Sequence, residues 1–177
     1  MVFVGSGPIV EELDAKYWRV AAPVVYHGAR QEFIVPEGFR TDFASVPRAV
    51  VWLVPRYGVY TKAAILHDFL RQSHTVSAAD ADGIFRRCLH EDNVSIPRRY
   101  MMWAAVRFGS GLRGASVGQI VLCFLIAVPS VLFLAVPATV VTVFGVLFWL
   151  VELCFWGIAR LGRRAPEPPP TPEMKSA

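Results

Sequence analysis

The chain has 177 residues with a formal net charge of +4; 54% of them are hydrophobic and 18% charged. The apolar share exceeds that of ordinary soluble domains and the charged share falls below it, which excludes disorder along the whole chain. Three cysteines are too few, and odd in number, for a disulfide-stapled secreted scaffold. The mild positive balance, with no basic cluster interleaved with aromatics, gives no reason to expect nucleic acid as a partner.

The amino-terminal stretch Met1-Val2-Phe3-Val4 has no basic region before it and its apolar run ends well short of Glu11-Glu12. It does not read as a signal peptide, so residues 1–114 are expected in the cytoplasm. Residues 16–26 and 32–43 are rich in Val, Tyr, Phe and Trp and are broken by Pro23, His27-Gly28 and Pro36-Glu37-Gly38. They predict two or three short strands.

The pattern then turns helical. From Thr61, the spacing of Ile65, Leu66, Phe69 and Leu70 makes one apolar face. Ser77 with Asp80 three residues on reads as a helix start, and Ala81, Ile84, Phe85, Cys88 and Leu89 face inward behind it. Ser95-Ile96-Pro97-Arg98 opens a third helix that runs through Arg107 and ends at Gly109-Ser110-Gly111; Ser45-Val46-Pro47-Arg48 has the same form. The front part is therefore an α+β domain of short strands followed by about three helices.

Residues 115–159 are different in kind: no charge occurs between Arg113 and Glu152. As one helix such a segment would measure roughly 68 Å, more than twice the roughly 30 Å hydrocarbon core of a bilayer. Two spans near 117–136 and 138–159 are expected, reversing at Val136-Pro137-Ala138-Thr139, with Pro129 kinking the first or making it re-entrant. Arg98, Arg99, Arg107 and Arg113 precede this transmembrane hairpin and Arg160, Arg163 and Arg164 follow it. The positive-inside rule then places both termini in the cytoplasm, with the lipid bilayer as a partner. Glu152 is expected to snorkel or to pair with Arg160, and residues 160–177 form a basic and then Pro-rich tail without fixed structure.

No P-loop, HExxH, paired CxxC or GxSxG elbow is present. What remains is a group of polar residues in apolar surroundings: Asp42, His67, Asp68 and Asp82. Together they are the candidate catalytic residues. A histidine with carboxylates can hold a divalent metal and activate a water, or act as a general base oriented by one carboxylate. Structural readings compete: Asp42 as a turn cap, Asp68 paired with Arg71, and Asp82 paired with Arg86 at i,i+4. His67 and Asp68 are consecutive on a helix and point about 100° apart, which works against one small shared site.

Four ordered blocks carry a resemblance. They are Phe33-Ile-Val-Pro-Glu-Gly-Phe-Arg-Thr-Asp-Phe-Ala-Ser-Val-Pro-Arg48, Ala63-Ala-Ile-Leu-His-Asp-Phe-Leu70, Ala81-Asp-Gly-Ile-Phe85 and Met102-Trp-Ala-Ala-Val-Arg-Phe-Gly109. In these the chain resembles an uncharacterised family, domain of unknown function 1353, found in tailed phages and bacterial prophages. Trp103 stands where that family usually has Tyr, and Ser77-Ala-Ala where it often has Arg. The resemblance implies a phage or prophage origin and a compact domain, but no activity, and it does not extend to residues 115–159.

These readings lead to a phage-type protein that presents a small domain at the host inner membrane for lysis, superinfection exclusion or envelope-associated assembly, with phage or host envelope proteins as partners. A membrane-anchored hydrolase, metal-dependent in one version, and a partner-recruiting module are the alternatives. A pure pore is disfavoured by the large front domain.

Overall fold

The computed structural model describes residues 2–5, 7–29, 31–43, 46, 48–112, 114–161 and 167–172. Six short strands come first: β1 (Val2–Phe3), β2 (Val10–Glu12), β3 (Trp18–Val20), β4 (Val24–His27), β5 (Glu32–Val35) and β6 (Arg40–Thr41). They form two antiparallel three-stranded sheets, ordered β1-β4-β5 and β2-β3-β6. In β4 and β5 the alternation decides which face is buried. Val24, Tyr26, Phe33 and Val35 point into the core, while Val25, His27, Glu32 and Ile34 do not. The hairpin register pairs Val24 with Val35 and Tyr26 with Phe33. Gly28 turns this hairpin: a Cβ there would lie 2.7 Å from the Gln31 carbonyl oxygen, so only glycine fits without a shift.

Four strands coincide with the two segments predicted from composition; β1 and β2 do not. Two or three residues are too few to show a period, and these strands exist only because β4 and β3 offer edges to pair with. The remaining elements are a 3-10 turn at Arg48–Val50 and the helices α1 (Thr61–Ser73), α2 (Ala78–Glu91), α3 (Ile96–Gly109) and α4 (Val117–Leu161). Ser45 and Pro47 of the earlier Ser-x-Pro-Arg site lie outside the described residues, as do Arg113, Arg163 and Arg164.

Helix ends follow the local chemistry. The Ser77 hydroxyl accepts from the Asp80 amide at 3.1 Å and donates to the Asp80 carboxylate at 2.6 Å, which fixes the start of α2. Pro97 occupies the first turn of α3. His74, in left-handed conformation, ends α1. Ile65, Leu66 and Leu70 of α1, Phe85, Cys88 and Leu89 of α2, and the inward faces of β4 and β5 make one core.

The expected hairpin in residues 115–159 is not formed. α4 is a single continuous helix, and Pro129 and Pro137 lie inside it. The segment Val136-Pro137-Ala138-Thr139 carries no glycine, asparagine or aspartate to take up a reversing conformation. A proline within an apolar helix removes one backbone donor without ending the helix. Ser130, Thr139 and Thr142 donate to the carbonyls of Ile126, Ala135 and Ala138 at 2.6, 2.8 and 2.7 Å.

The length of α4 is instead divided between two tasks. Its first part docks on the domain: Phe124 meets Phe108 edge-on with ring centroids 5.4 Å apart, Cys123 is buried with Trp103 and Ala104, and Phe133 lies 6.3 Å from Trp52. Past Leu134, the last α4 residue on the cavity, large apolar side chains such as Val140, Phe144 and Phe148 are exposed. Residues 167–172 have no regular structure, and the Trp149 indole N–H reaches the Pro169 carbonyl at 3.4 Å.

Leu89 is fully buried in the main core whereas Ile34 is half exposed on β5. Leu89→Ala is expected to cost about 2–5 kcal/mol of stability, and Ile34→Ala within about 0.5 kcal/mol, read as amide-exchange protection across α2 in the full chain.

Candidate functional site

α1, α2 and α3 meet at one buried carboxylate. His67 of α1 places Nε2 2.8 Å from Asp82 Oδ1, and Arg107 of α3 donates from Nη1 to Asp82 Oδ2 at 3.0 Å. The Asp82 side chain is fully buried and that of Arg107 nearly so, while His67 is 13% exposed. Burial by itself would raise the Asp82 pKa. The hydrogen bonds from His67, Arg107 and Ser110 outweigh burial and hold the carboxyl below its ordinary range. An ionised carboxylate only accepts, so the His67 Nε2 carries a proton and the lone pair of a neutral ring lies on Nδ1. The Phe85 ring, 5.0 Å away centroid to centroid, packs against the imidazole.

A second carboxyl is arranged differently. Asp68 accepts from the Thr41 hydroxyl at 2.6 Å, and the Thr41 oxygen in turn accepts from the Phe43 amide at 2.9 Å. Burial, reinforced by the neighbouring charge of Asp42 and opposed by the Thr41 bond, pushes the Asp68 pKa up to about 7. Phe43 has a φ of 57°, a left-handed conformation that is rare for an aromatic residue. That backbone twist, buried next to Thr41, is what turns the chain after β6 towards α1.

Both groups border one cavity of about 700 Å³ between the domain and α4. Asp42, His67, Asp68 and Arg71 supply its charged or ionisable lining, and α3 and α4 supply a mainly apolar wall that includes Met102, Val106, Val131 and Leu134. The 100° divergence of consecutive helix residues therefore does not separate His67 from Asp68, because the cavity is wide enough for both to reach its wall.

Of the four residues singled out in the sequence, the structure joins His67 to Asp82 directly. Asp42 and Asp68 share the cavity with His67, and Asp68 is bonded to Thr41. Asp82 does not pair with Arg86, which instead lies over the Trp103 ring at 4.9 Å. Among the described residues no group of three or more His, Cys, Asp or Glu is placed to hold a metal ion, so the metal-centred version of the site lacks its ligand set. The role expected for Arg107 is corrected as well: it is not a free topological charge, since Asp82 neutralises it in the interior.

Sequence reasoning missed Arg107 and Thr41 as members of the site. Arg107 did have a signal: it follows Trp103 and Ala104 by four and three residues, so it shares the buried face of α3. Thr41 had none, since its placement depends on the turn at Phe43.

Asp82→Asn takes the buried carboxylate away from Arg107 and His67 and is expected to destabilise the protein by about 3–5 kcal/mol. The double change Asp82→Asn with Arg107→Met should recover a large part of that loss in thermal melts.

Asp68 gives a pH prediction. Its folded pKa of about 7 lies above the ordinary value of 3.8, so the folded chain holds a proton that the unfolded chain releases. Its contribution to stability falls as pH rises from about 4 to about 7 and is level above that. Asp68→Asn should flatten this slope in melts between pH 4.5 and 8, and an unchanged slope would assign the titration to another group.

No curated protein and no solved structure matches the chain. Residues 18–106, from β3 almost to the end of α3, match the family described as "Protein of unknown function (DUF1353)" and contain all of His67, Asp82 and the Thr41–Asp68 pair. The chain belongs to the DUF1353 family.

Proposed function

We propose that this is a membrane-anchored protein of a phage or prophage, which holds its α+β domain at the cytoplasmic face of the host inner membrane. The observation that carries the reading is the unpartnered apolar surface of α4. The candidate span runs Val117–Arg160, and only 6% of its most apolar window is buried against the rest of the chain. Val140, Phe144, Leu147, Phe148, Val151 and Phe155 are all exposed. A helix that is apolar all round belongs in a core or in lipid, and no core covers this one.

Docking of the first part of α4 leaves residues 135–160 as the span. They measure about 39 Å, enough for the roughly 30 Å hydrocarbon core with some tilt. Arg160, Arg163 and Arg164 adjoin the end of this span, whereas Arg98, Arg99 and Arg113 lie too far before its start to count, so the cytoplasmic placement of the domain does not rest on flanking charge. A single crossing puts the carboxyl terminus on the far side of the membrane. The 3.4 Å contact from Trp149 to Pro169 is long and is given up when this part of α4 enters lipid.

The phage or prophage origin rests on the family resemblance of residues 33–109. Lysis, superinfection exclusion and envelope-associated assembly are the roles consistent with a domain displayed in this way, with phage or host envelope proteins as its partners. A second reading, general acid–base catalysis on a substrate in the cavity, is favoured by His67 oriented by Asp82 beside Asp68.

The anchored reading predicts that the full chain stays in the membrane pellet after a carbonate wash. Leu147→Arg with Phe148→Arg places two charges mid-span, each costing about 2.5–3.5 kcal/mol, and should move protein to the soluble fraction. A reporter fused at the carboxyl terminus should read as external to the cytoplasm. A cytoplasmic reading from membrane-retained protein would sink the single crossing.

A further inference from the structure

We propose that the cavity between the α+β domain and α4 binds a single-chain anionic amphiphile taken from the bilayer, with its anionic headgroup on Arg71 and its alkyl chain along the wall made by α3 and α4. The inference rests on the membrane reading of α4, because that helix both forms the wall and leads into the lipid.

Three observations converge on this ligand class. First, the charged or ionisable lining of the cavity, Asp42, His67, Asp68 and Arg71, lies on one side, and the α3 and α4 sides contribute no charged group and only the hydroxyls of Ser110 and Ser130, which donate within the chain to the Val106 and Ile126 carbonyls. A ligand that fills it must be amphipathic, since burying a polar chain along the apolar wall would leave its groups without partners.

Second, Arg71 makes no ion pair among the described residues. Asp68, three residues earlier on the same helix and the natural partner, is turned to Thr41 instead. A half-buried guanidinium on a cavity wall presents a planar fork of donors suited to a carboxylate or a phosphate.

Third, size and position agree. The cavity of about 700 Å³ lies within the range of pockets that hold small organic ligands, about 300–1,000 Å³. The α4 residues on its wall, Ala127, Ser130, Val131 and Leu134, lie immediately before the proposed span, so an amphiphile can pass between bilayer and cavity along the helix surface.

A fatty acid and a lysophospholipid share this chemistry, and separate arms distinguish them. The full chain, purified in maltoside micelles, is exposed to oleate, to 1-oleoyl lysophosphatidate, to neutral mono-olein or to two-chain dioleoyl phosphatidate, and retained ligand is counted by native mass spectrometry. One oleate or lysophosphatidate per chain is expected, with mono-olein and dioleoyl phosphatidate retained far less; the better-retained of the first two identifies the source.

Arg71→Gln should weaken retention about tenfold, the scale of one charge-assisted hydrogen bond, while Arg71→Lys keeps part of it. Ala105→Trp, which fills the cavity from α3, should abolish it. Both variants should stay in the washed membrane pellet and melt as the parent does. Anionic retention unchanged in Arg71→Gln and Ala105→Trp, or equal retention of mono-olein, would overturn the proposal. Loss of the unaltered chain from the membrane pellet would overturn the anchoring itself, whatever the ligand result.

Discussion

The carboxylate of Asp82 is the point on which the arrangement of the three domain helices turns. An ionised group without water is tolerated only when opposite charge and donors surround it, and here one oxygen takes His67 from α1 while the other takes Arg107 from α3. Apolar packing alone would allow the helices to slide by fractions of a turn, since leucine and phenylalanine fit many neighbours. Two directed bonds to a buried anion do not allow it. The same contact reaches further along the chain: Arg107 is in the last turn of α3, whose end is tied by the Ser110 amide to Val106 and by the Leu112 amide to the Arg107 carbonyl. The ion pair thereby sets where α4 leaves the domain.

From that departure point the first part of α4 lies across the domain and encloses a cavity with it. The polar lining of the cavity is assembled by a different device, the left-handed backbone at Phe43, which brings Thr41 to Asp68 and so denies Arg71 its nearest partner. The Thr41 bond occupies Asp68 and leaves Arg71 without an ion pair among the described residues, while burial raises the Asp68 pKa against that bond. The two carboxyls of the site end in opposite states because at Asp82 the hydrogen bonds from His67, Arg107 and Ser110 outweigh burial, whereas at Asp68 burial and the nearby charge of Asp42 outweigh the single bond from Thr41.

Much of this was legible in the chain. The strand character of residues 16–43, though two or three strands were expected where four form, and helices α1 to α3 could be read because their apolar positions recur with the right period and the helix ends carry serine, proline and glycine where caps require them. His67 and Asp82 stood out as polar groups on apolar faces. The pairing partners were harder. Asp82 was equally able, by spacing, to meet Arg86, and Asp68 to meet Arg71; local spacing offers these surface pairs whether or not the faces are buried. The hairpin expectation in residues 115–159 failed for a related reason. It compared helix length with bilayer thickness and assumed that the whole segment sits in lipid, but a part of α4 finds protein instead.

The sequence by itself determined the α+β class of the front domain, its family, and the presence of an apolar segment that no soluble core of this size covers. The class and the apolar segment follow from periodicity and composition, which depend on near neighbours in the chain, and the family is carried by the ordered blocks of residues 33–109. Only the tertiary structure decided that Arg107 belongs to Asp82, that Thr41 holds Asp68, and that α4 runs unbroken from a docked part to a free one. Those outcomes depend on contacts between residues far apart in the chain, where burial sets the strength of each charge and one backbone twist redirects a side chain.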